Sequence, residues 1–242
     1  VIKENFKKKK ISSQTINLLN SLKLDERVIK LDRKQPEFKL AFDEYLVRVI
    51  NKGSKEKINL IFKKNNEFLK KLESHFDVNA KVLVSLWGIE TSFGKHTGKL
   101  DILRSLASLA YEGRRRDFFL KELEKALIIL DEKHFDRKSF RGSWAGAFGQ
   151  TQFMPSTFLK YAIDFDGDSK INLFNKNDAL ASGANYLKQV GWNNELYWGE
   201  EVNIDLTEEL ILLAKKKEYK KFKFWKKLGI NFQNNYQNSP LR

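Results

Sequence analysis

Cysteine is absent from this chain of 242 residues, and proline occurs only three times. The absence of cysteine excludes disulfide bridges, thiolate zinc sites and cysteine nucleophiles. It leaves the compartment open, because a cysteine-free protein is compatible with an oxidising space and with the cytosol. The scarcity of proline leaves long stretches in which helices can form without interruption.

The chain also lacks any run of the roughly 20 apolar residues needed to span a bilayer, so we expect no transmembrane segment. Apolar residues make up 41% of the chain and charged residues 31%, which is typical of a globular protein. No charged segment followed by an apolar segment and a cleavage site opens the sequence. We therefore expect a signal peptide to be absent or already removed.

Motifs of nucleotide-dependent enzymes and serine hydrolases are missing too. The sequence contains no P-loop, no G-x-G-x-x-G fingerprint and no G-x-S-x-G elbow. Its three histidines are His75, His96 and His134, and their spacing suggests no metal site. We expect no organic cofactor.

Positive charge, in contrast, is in excess. Lys and Arg number 45 against 31 Asp and Glu, which gives a net charge of +14. Such a charge attracts anionic partners, among them nucleic acid, anionic lipid and acidic cell-wall polymer. The alternative is a solvated surface without a specific partner. The lysines are spread along the chain and no nucleic-acid-binding motif accompanies them, so we expect no nucleic-acid partner.

The spacing of apolar residues predicts a mainly α fold. Amphipathic patterns at 11–24, 36–50 and 57–76 predict helices of an N-terminal lobe. Residues 79–94 are apolar nearly all round and predict a buried central helix that begins after Asn79.

Two further helix starts are marked by local sequence. Pro155 suits the first position of a helix that runs to Tyr161. Near the C-terminus, Asp205 and Glu208 predict a capping box for a helix through Leu213.

A glutamate interrupts the apolar central helix. Glu90 shares a helical row with Leu83 and Trp87. Burial and the nearby helix C-terminus both raise the pKa of a carboxyl group, and a carboxyl group that stays protonated near neutral pH is what general-acid catalysis needs. The alternatives are a structural pair with an arginine and an exposed position on a rotated helix.

Aspartates alternate with other residues at 164–168. Asp164, Asp166 and Asp168 occupy positions 1, 3 and 5 of an EF-hand-like loop, and the carbonyl of Lys170 follows at position 7. This alternation directs oxygen atoms into one cavity, as a hard cation requires. Asp178 is placed to close a loop longer than the standard one.

The strict EF-hand pattern fails at two positions. Ser169 stands where glycine is usual, and Asn175 stands where the closing glutamate is expected. A bound Ca²⁺ is favoured over Mg²⁺, which prefers to keep its waters. The alternative is a hydrogen-bonded aspartate turn without metal.

Four collinear stretches make the sequence resemble the B-type lytic murein transglycosylases, the family of membrane-bound lytic transglycosylase B and its soluble relatives. The first stretch is Leu-Asp-Arg-Lys-Gln-Pro-Glu-Phe at 31–38, and the second is Trp-Gly-Ile-Glu-Thr-Ser-Phe-Gly at 87–94. The third, at 142–156, ends in Gly-Gln-Thr-Gln-Phe-Met-Pro-Ser. The fourth is the aspartate loop at 164–178, followed by Ala-Asn-Tyr at 184–186.

The resemblance implies a mainly α fold (α+β) with a lysozyme-like core, a small β element and an N-terminal helical lobe. The implied division is 1–76 for the lobe, which packs on the core, and 77–192 for the catalytic core with its EF-hand-like loop at 164–178. Residues 193–242 would form a C-terminal segment that completes the lobe and the groove.

The resemblance further implies a peptidoglycan lyase with Glu90 as its single catalytic acid and then base. It would cleave the β-1,4 bond between N-acetylmuramic acid and N-acetylglucosamine without water and leave a 1,6-anhydromuramyl end. The alternatives are a lysozyme-type muramidase, which is a hydrolase, and a non-catalytic basic protein that binds cell wall or nucleic acid.

Matching positions supply the rest of the implied site. Substrate-binding residues would be Ser143, Gln152, Phe153, Met154, Tyr186 and Phe118, the last standing where many relatives have tyrosine. A structural Ca²⁺ would be held by Asp164, Asp166, Asp168, Asp178 and the carbonyl of Lys170. The implied partner is the peptidoglycan glycan strand, in the periplasm or the cell-wall space. The precursor is compatible with a lipid anchor, and the expected state is a monomer.

Overall fold

A computed structural model describes residues 11–34, 41–50, 52–195, 200–216, 219–233 and 240–241. Two compact units divide the chain, Val1–Trp192 and Asn193–Arg242. The helices predicted for the lobe and for the core thus belong to one unit, and the three-part division stays a prediction. Residues 35–38 of the first family stretch and the predicted helix start at 36–40 lie outside the described residues.

The first unit is built mainly from α-helices. In chain order, its helices are α1 (Ser13–Asn17), α2 (Glu26–Arg33), α3 (Phe42–Val49), α4 (Lys52–Lys64), α5 (Asn66–Phe76), α6 (Ala80–Thr91), α7 (Ile102–Glu112), α8 (Arg116–Asp131), α9 (Pro155–Tyr161) and α10 (Lys176–Gln189).

A short 3₁₀ helix, Leu18–Ser21, follows α1. The β element is a two-residue antiparallel pair of β1 (Leu100–Asp101) and β2 (Arg141–Gly142). The prediction of a mainly α fold with a small β element is confirmed.

The second unit is smaller and has its own apolar cluster. It contains α11 (Glu208–Lys216) and α12 (Phe222–Lys227), and it contains β3 (Lys220–Lys221) paired antiparallel with β4 (Pro240–Leu241). Leu210, Trp225 and Ile230 form its buried centre.

Local capping explains where several helices begin and end. The Asn79 side chain accepts hydrogen bonds from the backbone amides of Lys81 and Val82, as an N-cap should. Pro155 is the first residue of α9, as predicted. The capping box predicted at Asp205 is wrong, because the Thr207 hydroxyl accepts from the Leu210 amide at 3.3 Å instead.

One predicted helix is two helices in the structure. The single helix expected over 57–76 is divided into α4 and α5 at Asn65. The side-chain amide of Asn65 donates to the Ile61 carbonyl at 2.8 Å and occupies an acceptor of the last turn of α4. Asparagine side chains compete with the helical backbone in this way.

Two apolar clusters form the core of the first unit. One centres on α7 and α8, with Leu103, Leu106, Leu123 and Phe148 among its buried residues. The other joins α5, α6 and α10, and α6 contributes Leu83, Val84 and Trp87. The prediction of a buried central helix is wrong in part, because α6 packs through Leu83, Val84 and Trp87 but leaves Leu86 and Ile89 39% and 51% exposed.

A buried carboxylate secures α2. Asp32 is only 3% exposed and accepts from the Nε of Arg114 at 2.8 Å, across the turn between α7 and α8. A half-exposed arginine neutralises the buried charge here, as burial of a carboxylate requires. In the ranges that the structure describes, none of the helices has both the length and the apolar character to cross a membrane.

Substitutions at two glycines can test the close packing beside the β pair. Gly98 (φ +89°) and Gly191 (φ +96°) both have left-handed backbones, but a Cβ on Gly98 would overlap the backbone of Gly142, whereas a Cβ on Gly191 would meet open space. We expect Gly191→Ala to lower the free energy of unfolding by about 1–2 kcal/mol, from conformation alone. Gly98→Ala adds an overpacking cost, for a total of about 2–5 kcal/mol.

Urea unfolding of the two variants beside the parent measures this difference. Equal losses of unfolding free energy in the two variants would show that the backbone at Gly142 moves to accommodate a Cβ on Gly98, and would contradict the close packing described here.

Candidate active site

A cavity of 390 Å³ opens beside the central helix. Its walls come from α6, from α10, from α9 and from the chain that precedes α9. The lining residues are Leu83, Leu86, Trp87, Glu90, Thr151, Gln152, Phe153, Met154, Thr157, Gly183, Tyr186 and Leu187. We call it the Glu90 cavity.

Helical spacing explains why α6 supplies one wall. Leu83, Leu86, Trp87 and Glu90 follow the i, i+3, i+4, i+7 pattern of a single helix face. On the facing helix, α10, Gly183 allows a close approach, because a Cβ there would lie 3.3 Å from both the Leu83 and the Thr151 side chains. The narrow contact at Gly183 forms the floor of the cavity.

Glu90 is the carboxylate of this cavity, and its side chain is exposed. The prediction that Glu90 is buried is therefore wrong, and the reason is that the cavity is open to solvent. Partial desolvation in the cavity nevertheless raises the pKa of the Glu90 carboxyl above its ordinary value. The surrounding cavity walls remove part of its hydration, and this disfavours the charged form.

No described residue forms an ion pair or a hydrogen bond with the Glu90 carboxylate. The alternative of a structural Glu–Arg pair therefore has no support in the described part of the chain. A carboxyl group without a fixed partner keeps its proton available to a molecule that enters the cavity.

A tight turn forms the second wall. Phe148 and Phe153 exchange two backbone hydrogen bonds of 3.0 Å. Between them Gln152 takes a left-handed conformation, with φ at +51°. Its side-chain amide donates to the carbonyls of Gly149 at 3.0 Å and Thr97 at 3.2 Å. Positive φ at a residue other than glycine is costly and concentrates at functional sites.

Aromatic rings close the far side. The Tyr186 ring lies 5.8 Å from that of Phe153 and packs edge-on against Tyr161, at 5.1 Å between centroids. Met154 completes this surface as the N-cap residue of α9. Apolar faces with polar edges of this kind suit the faces of sugar rings.

The structure brings together most of the predicted site but not all of it. Glu90, Gln152, Phe153, Met154 and Tyr186 line the same cavity, whereas Ser143 and Phe118 do not.

Both outlying residues have local contacts. The Ser143 hydroxyl accepts from the Ala147 amide at 3.1 Å and braces a turn. Phe118 is 39% exposed, and the Arg115 guanidinium stacks on its ring at 4.5 Å. Their substrate-binding roles stay predictions.

Several cavity residues escaped the sequence analysis. They are apolar or small, and nothing in their chemistry marks them: Leu86, Thr151, Thr157, Gly183 and Leu187. For Leu86 and Gly183 the available signal was helical spacing, since Leu86 lies four positions from Glu90 and Gly183 lies three positions from Tyr186.

The acidic loop, residues 164–178, lies apart from the Glu90 cavity lining. Carboxylate oxygens of Asp164, Asp166 and Asp178 approach within 4.8 Å of one another. Asp178 is buried, and its two oxygens accept from the amides of Phe165 at 2.9 Å and Asn172 at 2.8 Å. An all-oxygen set of this size could hold a metal ion, and it suits a hard cation.

Two details of the loop qualify the predicted ligand set. Ser169 has a left-handed backbone (φ +68°), which is the conformation that glycine usually provides at this position. Asp168 lies outside the cluster of three carboxylates. Its role as a ligand, and that of the Lys170 carbonyl, stay predictions.

Known proteins resemble this chain along its whole length. The sequence model of the family described as Transglycosylase SLT domain matches residues 1–241. The membrane-bound lytic murein transglycosylase B of Escherichia coli is 42% identical over 118 residues, which are 48% of this chain and 33% of that protein.

Solved structures agree with the sequence match. SltB3 from Pseudomonas aeruginosa in complex with NAG-NAM-pentapeptide has a TM-score of 0.85 and 34% identity, and covers 100% of this chain and 64% of its own. The E. coli lytic transglycosylase Slt35 in complex with calcium has a TM-score of 0.82 and 28% identity, with 98% and 75% covered. The chain thus spans a third of the E. coli B-type protein and under two thirds of SltB3. These similarities confirm the predicted lysozyme-like fold.

The raised pKa of Glu90 makes a prediction about stability. A raised carboxyl pKa means that the folded protein binds more protons than the unfolded chain between the two pKa values, so stability falls as pH rises through that window. Glu90→Gln removes this loss. We expect the variant to be more stable than the parent at pH 7, with a gain that shrinks toward pH 4.

Urea unfolding at the two pH values measures the gain. Glu56→Gln, on an exposed face of α4, is the matched control and should show no such pH-dependent gain. A less stable Glu90→Gln at pH 7 would contradict the argument, because it would assign Glu90 a stabilising partner.

Proposed function

Because the chain belongs to the Transglycosylase SLT domain family, we propose that it is a lytic transglycosylase of peptidoglycan. It cleaves the β-1,4 bond between N-acetylmuramic acid and N-acetylglucosamine without consuming water. The product carries a 1,6-anhydromuramyl end.

The observation that carries the proposal is a solitary carboxyl group in a cavity of suitable chemistry. Glu90 is the only acidic side chain among the described residues that line the Glu90 cavity. Glycoside hydrolases usually need two carboxyl groups on opposite sides of the scissile bond. One group suffices when the nucleophile is a hydroxyl of the substrate itself.

In the proposed reaction the Glu90 proton makes a closed cycle. The carboxyl group protonates the glycosidic oxygen as the bond from that oxygen to the muramyl anomeric carbon breaks. The resulting carboxylate then accepts the proton of the muramyl 6-hydroxyl as O6 forms a bond to the same carbon. Glu90 ends protonated, as it began, and the raised pKa favours this starting state.

The remaining walls would hold the muramyl ring so that its 6-hydroxyl faces the anomeric carbon. Ring closure within one bound sugar gains strongly from such positioning. Gln152 offers a conformationally fixed amide, and Phe153, Met154 and Tyr186 offer an apolar surface. Ser143 and Phe118 are proposed to contact the glycan strand beyond this cavity.

The relatives are consistent with this substrate. The SltB3 structure contains NAG-NAM-pentapeptide, and a second SltB3 structure contains NAG-anhNAM-pentapeptide. Both share this fold with TM-scores of 0.85 and 0.84.

Replacing the proposed acid tests the mechanism. We expect Glu90→Gln to lower turnover of purified peptidoglycan by about 10²–10⁴-fold, the usual contribution of general acid–base catalysis, while binding to the wall is retained. Mass spectrometry of the released muropeptides measures turnover and end groups together, and Glu56→Gln serves as the control.

The end group separates the competing functions. Anhydromuramyl products support the lyase, and reducing muramic acid ends would establish a muramidase instead. Turnover by Glu90→Gln equal to that of the parent would overturn the proposed mechanism, and wall binding without any turnover by the parent would indicate a non-catalytic protein.

We further propose that the acidic loop binds a structural Ca²⁺. The support is the cluster of Asp164, Asp166 and Asp178, together with the left-handed Ser169 that turns the loop around it. When bound, the ion would neutralise the clustered carboxylates and brace the segment before α10. Slt35, a structural relative, has been solved in complex with calcium.

Thermal unfolding tests for the ion. At 100 times its dissociation constant, a ligand adds about 2.7 kcal/mol to stability, which raises the Tm of a domain of this size by about 5–10 °C. We expect Ca²⁺ to raise Tm, EDTA to reverse the rise, and Asp166→Asn to reduce it strongly. Asp168→Asn is the companion variant, and it reports whether a carboxylate outside the cluster takes part. No shift with Ca²⁺ would identify an aspartate turn without metal.

Location and assembly complete the proposal. The proposed substrate favours a location in the periplasm or the cell-wall space, and the net charge of +14 favours an anionic wall polymer. We propose a monomer, since a single chain contains every residue assigned to the site.

A further inference from the structure

Gln150 occupies the junction between the central helix and the end of the acidic loop. All four of its polar groups form hydrogen bonds. Two of the bonds end on α6, and the other two end on residues 173–174. The family stretch at 142–156 includes this residue, yet Gln150 does not line the Glu90 cavity.

The bonds to α6 bracket Glu90 along the helix. The Gln150 Oε1 accepts from the Trp87 indole Nε1 at 3.0 Å, one turn before Glu90. Its backbone carbonyl accepts from the Thr91 hydroxyl at 2.7 Å, one residue after Glu90. Both partners are buried, with Trp87 5% and Thr91 1% exposed. The helix face that presents Glu90 is therefore fixed in rotation by Gln150.

The other two bonds anchor Gln150 to the segment before α10. Its side-chain Nε2 donates to the Phe174 carbonyl at 2.7 Å, and its backbone amide donates to the Leu173 carbonyl at 2.8 Å. Leu173 is fully buried in the larger core cluster. Gln150 thus connects α6 to a rigid part of the core.

The amide side chain of Gln150 satisfies both ends. The Trp87 indole can only donate, and the Phe174 carbonyl can only accept, so the residue between them must offer one acceptor and one donor. Gly94 packs closely against this amide, since a Cβ on Gly94 would collide with the Gln150 Oε1. A carboxylate at this position would face a carbonyl oxygen without a proton between them.

We propose that Gln150 is a positioning residue that sets the orientation of Glu90 by fixing α6 against residues 173–174. The inference rests on the proposed function for its consequence in catalysis, but its geometric part does not. A small misplacement of a catalytic group is costly, and a shift of 1 Å can lower the rate by about 10²-fold.

The first experiment removes both side-chain bonds with little change of volume. We expect Gln150→Met to lower kcat by about 10–100-fold and to change KM by less than about threefold, because the cavity lining is retained. Gln189→Met, at the exposed end of α10, is the matched control. In NMR spectra, the Trp87 indole proton should move upfield in Gln150→Met and stay in place in the control.

The second experiment uses low pH to restore a hydrogen-bond donor at position 150. Gln150→Glu cannot donate to Phe174 when it is ionised, but it can when it is protonated. The ratio of variant to parent kcat should therefore rise as the pH falls from 8 to 5. A residue that only fills space gives a ratio that is independent of pH. The pH dependence of Gln150→Glu also tests the role of Gln150 if Gln150→Met does not fold.

Outcomes against the proposal are distinct from failure of the proposed function. An unchanged kcat in Gln150→Met, or an unmoved Trp87 indole proton, overturns the role of Gln150. If the parent itself cleaves no peptidoglycan, the proposed function fails. The role of Gln150 is then tested by ¹³C NMR titration of the Glu90 carboxyl group, which does not depend on activity. A Glu90 pKa that moves toward its ordinary value in Gln150→Met supports it, and an unchanged pKa overturns it.

Discussion

The partial desolvation of one carboxyl group is the constraint on which the site depends. Glu90 must lose enough hydration to raise the pKa of its carboxyl group, yet remain open to a molecule that enters from solvent. The structure meets both demands by placing Glu90 at an open cavity whose walls are largely apolar. A fully buried glutamate would have a higher pKa, but no molecule from solvent could reach it.

Close backbone approach is what makes such a cavity possible in a helical protein. The axes of two helices that pack through their side chains are about 8–10 Å apart. Here Gly183 brings α10 against Leu83 and Thr151, and Gly94 leaves the space that the Gln150 amide occupies. Gly183 thus contributes to the shape of the cavity, and Gly94 allows the contact that supports α6 beside it.

The helix starts near the site could be predicted from the sequence more reliably than the solvent exposure of its residues. The N-cap at Asn79 and the helix at Pro155 were identified because capping depends on a few adjacent residues. The exposure of Glu90 was not, because burial depends on which distant elements cover a helix face. The same limit applies to the start of α11, where the Thr207 hydroxyl accepts from the Leu210 amide although Asp205 was expected as the cap, because the sequence offers two residues suited to capping within three positions.

Gln150 shows a deeper limit of reasoning from residue types. Its side chain is neutral, does not line the cavity and resembles any surface glutamine in the sequence. Its importance comes from four hydrogen bonds to residues that are 23 to 63 positions away along the chain.

The acidic loop and the Glu90 cavity are connected through the same segment that anchors Gln150. The amide of Asn172 donates to Asp178 at 2.8 Å, and the side chain of Asn175 donates to Asp166 at 2.5 Å. Between these two residues lie the carbonyls of Leu173 and Phe174, which accept from Gln150. Four consecutive residues therefore contact the carboxylate cluster at their ends and the support of α6 at their centre. A cation held by that cluster would act on the position of Glu90 by stiffening this segment, since no cluster residue is among those that line the cavity.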